Sequence, residues 1–83
     1  MGRDLIFKEI DEERARQDGQ WGGKGYDDKH DVRDWVAYVL NFLARTVAKE
    51  ANWGFNLKRA REAFVKVAAL AIAAIESIDR KIK

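Results

Sequence analysis

The stretch Ala63-Phe64-Val65-Lys66-Val67-Ala68-Ala69-Leu70-Ala71-Ile72-Ala73-Ala74-Ile75 decides the fold. Lys66 is its only polar residue. A helix that is apolar on every side must be covered on every side. Thirteen residues are too few to cross a bilayer, and a lysine interrupts them. The cover must therefore be protein. The alanines at 68, 69, 71, 73 and 74 let another helix approach closely. Two short helices cannot wrap this one completely, whereas a second copy of the chain can. The stretch thus predicts an all-α, three-helix protomer that assembles into an oligomeric helical bundle.

Working outward, Asn56 is a good N-cap for a last helix over 56–82, with a core face of Leu57, Ala60, Phe64, Val67, Ala71, Ile75 and Ile78. The tight connection Asn52-Trp53-Gly54-Phe55 makes the preceding helix, 32–51, its antiparallel neighbour. That helix takes Asp31 as N-cap and Asp34 at N3, where its charge meets the helix dipole. Val32, Trp35, Val36, Val39, Leu43 and Val47 form its core face, and Tyr38, Asn41 and Arg45 form a more polar strip. A first helix over 4–17 carries Leu5, Ile6 and Ile10 on one face and stops at Asp18-Gly19. The glycine- and aromatic-rich segment 18–31 is long for a loop in a single domain of 83 residues, and such loops are usually functional or disordered. Trp21 and Tyr26 favour order, since both rings gain from packing.

Composition narrows the function classes. No cysteine means no disulfide, no thiolate metal site and no cysteine nucleophile. Ser77 is the only serine and has no base near it in sequence. A net charge of +2, with acids and bases interleaved, is a solvated helical surface rather than a nucleic-acid-binding stripe. Residues 1–8 contain no signal-peptide apolar core, so a cytoplasmic protein with no membrane partner is expected. A domain this small is left with unusually good helix packing or self-association as its routes to stability.

The run Glu13-Arg14-Ala15-Arg16-Gln17, then Trp21-Gly22, Asp27-Asp28, His30 and Trp35, resembles phage- and prophage-type relatives of the MazG-like all-α nucleoside-triphosphate pyrophosphohydrolases. The stretch from Phe64 to Glu76 resembles their last core helix. The resemblance implies an oligomeric bundle that binds nucleotides between helices. In active members a Glu-Glu-x-x-Glu motif and a Glu-x-x-Asp motif on consecutive helices hold magnesium, which bridges the phosphates. In this chain the first motif falls on Asn41, Phe42 and Arg45, and the second on Ala63 and Lys66. Magnesium needs hard oxygen ligands, and cations repel it. Glu62 stands one residue from the expected place, about 100° round the helix.

The candidate ligand-binding residues are Arg16, Gln17, Trp21, Lys24, His30, Tyr38, Asn41, Arg45 and Lys66, with no catalytic residue, metal or cofactor. Lys66 and Arg45 are cations suited to phosphate, although the stem of Lys66 can also pack while its amine reaches solvent or Glu62. Trp21, Tyr26, Trp35 and Tyr38 can stack on a base or fill the core. Gly22-Gly23-Lys24-Gly25 lacks the Walker spacing, but its amides can form an anion nest. His30 with Asp27 and Asp28 could build a metal site, but one imidazole and two adjacent acids rarely suffice, and the alternative is a loop-anchoring or helix-capping role. The expected function is non-catalytic sequestration of a phosphorylated nucleotide or nucleotide-derived signal between subunits, of the phage anti-defence type. The alternatives are a magnesium-dependent pyrophosphohydrolase with displaced ligands and a protein-binding phage inhibitor.

Overall fold

The computed structural model describes residues 2–45 and 56–82, apart from the side chains of Lys24 and Tyr26. The described residues form α1 (Arg3–Trp21), a short α2 (Gly23–Asp27), α3 (Val32–Arg45) and α4 (Leu57–Lys81), with no strand among them. The expected continuation of the second helix to 51, including Val47, and the connection at Asn52-Trp53-Gly54-Phe55 lie outside the described residues.

Both expected N-caps form. Asn56 accepts the N–H of Arg59 at 3.1 Å. Asp31 accepts the N–H of Asp34 at 3.0 Å, and Asp34 accepts the N–H of Asp31 in return at 3.0 Å, closing a reciprocal capping box. The amide of Asp34 holds the Asp31 carboxyl below the usual carboxylate range.

The first helix does not stop at Gly19. It runs four residues past the expected Gln17, to Trp21, and ends where Gly22 turns left-handed at φ 96° and donates its N–H to Asp18 O. Ion-pair and hydrogen-bond contacts one turn apart, Arg14 with Asp18 and Arg16 with Gln20, carry the helix through Gly19. The expected open loop is mostly helical, divided between the end of α1 and α2, and Ser77 ties α2 to α4 by donating from its buried Oγ to Asp27 O at 3.3 Å.

The helices pack differently from the periodicity reading. Trp35, Leu70 and Ala73 form the central cluster, with Val39 and Ala74 packed against it. The buried face of α4 is Ala60, Ala63, Ala69, Leu70, Ala73 and Ser77. Phe64, Ala71 and Ile75, expected in the core, are exposed, as is Leu57; on α3, so are Val32 and Val36. In α1 Ile10 is buried while Leu5 and Ile6 are exposed. Periodicity cannot say which side of an all-round apolar helix meets its own chain. The side carrying small residues with Lys66 and Ser77 does so, because it faces the polar groups of α1 and α2.

Candidate functional site

Helices α1 and α3 lie against neighbouring flanks of α4 and leave a cavity of 420 Å³ in the groove above it. That volume suits a nucleotide-sized molecule, since small-molecule sites run from about 300 to 1,000 Å³. These walls come from three helices and α2 of one chain.

Helical spacing delivers the lining. On α1, Glu13, Arg14, Gln17, Gln20 and Trp21 recur at three- and four-residue intervals, and Arg16 stands beside them. On α3, Trp35, Tyr38, Phe42 and Arg45 do the same. Lys66, Leu70 and Ala73 make the floor on α4. Asp27 of α2 closes one end. Phe42, Arg45 and Lys66, where the resemblance places metal-binding motifs, therefore meet in one cavity.

The electrostatics of the walls differ from residue to residue. Glu13 is forked by Arg16, with contacts of 2.6 and 3.0 Å. Arg16, then Lys66 and Gln17, hold the Glu13 carboxyl below the usual carboxylate range against the effect of burial. Arg16 also donates to Gln20 at 2.8 Å, so its donors are largely committed. Arg14 joins α1, α2 and α4 through Asp18, Asp27 (2.9 Å) and Glu76 (3.0 Å). Burial opposes its charge, but the bonds to Asp18 and Glu76 outweigh burial and raise its pKa. Burial pushes the Asp27 carboxyl up despite Arg14. The side chains of Lys66 and Arg45 have no hydrogen-bond or ion-pair partner among the described residues. The lining holds four cations (Arg14, Arg16, Arg45 and Lys66) against two acids (Glu13 and Asp27), an excess of two positive charges.

Of the expected site residues, Arg16, Gln17, Trp21, Tyr38, Arg45 and Lys66 line the cavity. Asn41 is exposed on α3 and stands off the wall. The His30 ring lies outside the cavity, 5.3 Å from the ring of Trp35 and 5.2 Å from that of Tyr38, with Nε2 2.9 Å from the Tyr38 hydroxyl. It helps set the Tyr38 ring that does face the cavity. Lys24 belongs to α2, but its side chain lies outside the described part, as does that of Tyr26. Glu13, Arg14, Gln20 and Asp27 were missed as site residues. Glu13 and Arg14 precede Gln17 at helical intervals within the expected helix, a signal that was legible, whereas Gln20 was hidden by ending that helix early.

Among the described residues no three His, Asp or Glu side chains converge as metal ligands would. No helix among them is long and apolar enough to cross a membrane. Comparison of the chain with family models, curated proteins and solved structures returns no match.

Proposed function

We propose that this chain binds and sequesters a phosphorylated nucleotide, or a signal derived from one, without turning it over. The observation that carries the reading is one cavity in which two cations with no side-chain hydrogen bond or ion pair among the described residues, Lys66 and Arg45, meet the rings of Trp21, Trp35, Tyr38 and Phe42. Cations suit phosphate oxygens and aromatic faces suit a base. The volume admits both halves of a nucleotide at once.

Sequestration is favoured over hydrolysis by the residues at the motif positions. An amide, a phenyl ring, a methyl and two cations attract phosphate while offering magnesium almost nothing. The resemblance to phage and prophage proteins extends the reading to a cytoplasmic anti-defence sponge, where tight binding without chemistry is the useful property.

The proposal includes self-association, with a second copy as the occupant of an apolar face. Leu57, Phe64 and Ala71 recur at seven-residue steps along α4 and, with Ile75, form an exposed stripe. Val32, Val36 and Leu40 form an exposed stripe on α3. Helical geometry puts both stripes on the side of the α3–α4 pair opposite the cavity. The stripes carry no charge, so two copies facing each other bring no like charges together, and the cavities stay open on the outside.

A thermal-shift screen of mono-, di-, tri- and cyclic nucleotides in excess chelator tests the binding. A ligand at a hundredfold excess over its Kd should stabilise the fold by about 2.7 kcal/mol. In so small a domain each kcal/mol moves the midpoint by roughly 4–8 °C. A flat response to every nucleotide contradicts the reading, and a shift that needs magnesium favours the metal-dependent alternative.

A further inference from the structure

The face of α4 turned away from its own chain carries a coiled-coil repeat from Leu57 to the C-cap Ile82. Leu57, Phe64, Ala71 and Ile78 recur at seven-residue steps, and Arg61, Ala68, Ile75 and Ile82 recur at the same step between them. Six of the eight are exposed, and Ala68 and Ile78 are half-buried. Leu57 and Ile82, at the two ends, are each 74% exposed, more than any other large apolar residue described. The two rows make one seam about 100° wide, opposite the side on which Lys66, Ala73 and Ser77 meet α1 and α2. Arg61 is its only charged member, and the guanidinium is committed to Glu9 of α1 at 2.6 and 2.7 Å. Lys58 and Asp79 flank the seam, both exposed and both without an ion-pair partner among the described residues.

We infer that α4 pairs antiparallel with α4 of a second copy, the two-fold axis passing at the level of Ala69 and Leu70; the inference rests on the self-association reading above. In that register Ala68 faces the partner's Ala71, Phe64 the partner's Ile75, Arg61 the partner's Ile78 and Leu57 the partner's Ile82. The alanines at the centre let the two backbones approach, and the larger pairs fill the space on either side. Charge sets the direction, because residues flanking such a seam choose its orientation. Antiparallel pairing puts Lys58 beside the partner's Asp79, and the two-fold axis makes that contact twice. Parallel pairing sets each seam residue against its own copy. It brings the two Arg61 side chains together and leaves Lys58 and Asp79 at opposite ends of the interface.

The chain has no cysteine, so introduced ones report the register on the full chain. Phe64→Cys and Ile75→Cys variants are mildly oxidised, each alone and as an equal mixture, and read on a non-reducing gel. The mixture should yield a linked dimer and neither variant alone should. Antiparallel pairing sets each of these residues about 16 Å along the axis from its own copy, beyond the reach of a disulfide. Linkage in either variant alone, or in none of the three samples while the parent is dimeric by light scattering, overturns the register and leaves self-association standing. A monomeric parent overturns both and assigns the seam to a different protein. Lys58→Glu keeps the apolar seam whole and tests the same register if the cysteine variants fail to fold. It should weaken the dimer by about tenfold, since two attractive contacts become repulsive. Asp79→Lys in the same chain should restore it. A Lys58→Glu dimer as tight as the parent's overturns the inference.

Discussion

Lys66 interrupts thirteen otherwise apolar residues and sits half-buried in the floor of the cavity, while Arg45 reaches the same space from the exposed end of α3. Their cavity neighbours Arg14 and Arg16 already hold carboxylates, Arg14 through Asp18, Asp27 and Glu76 and Arg16 through Glu13. The four cations should therefore respond differently to replacement. Lys66→Ala and Arg45→Ala should each weaken nucleotide binding by about 1.5–3 kcal/mol, the range for hydrogen bonds to charged groups. Titration of each variant against the parent checks this, and unchanged affinity in both would move the phosphate site elsewhere. Arg14→Ala should instead lower the thermal midpoint without ligand, because it leaves the buried Asp27 carboxylate without its closest cation.

At the scale of elements, the chain announces its helix ends unevenly. Asp31 with Asp34 and Asn56 are legible because a cap is local chemistry, a side-chain oxygen beside orphan amides. The end of α1 is less so. Gly19 and Gly22 are both plausible stops, and what separates them is the support given by Arg14–Asp18 and Arg16–Gln20 across the last turns. The misplaced stop hid α2 and part of the cavity wall. The polar strip of α3 was easier to see: Tyr38 and Arg45 stand at a helical interval and share the cavity with Gln17 and with Trp21, which was expected in a loop rather than on α1. The face α4 gives its own chain was not legible. Leu70 and Phe64 are equally apolar, and only tertiary contact with Trp35 puts one in the core and leaves the other exposed.

The whole molecule has two sides with different chemistry. One holds the charged and aromatic cavity; the other exposes Val32, Val36, Leu40, Phe64 and Ile75. So small a chain cannot bury all its apolar residues in one protomer. Light scattering behind size exclusion should report at least a dimer at micromolar concentration, and Ala71→Glu should shift it toward monomer by placing a carboxylate in the uncharged stripe. A clean 9.6 kDa species for the parent would contradict the self-association reading. The central claim, binding without turnover, is tested most directly by loading the protein with nucleoside triphosphates in the presence of magnesium, removing the unbound fraction, denaturing by heat and identifying the released molecule by mass spectrometry. The account predicts intact nucleotide after prolonged incubation. Release of a monophosphate with pyrophosphate, or of no nucleotide at all, would contradict it.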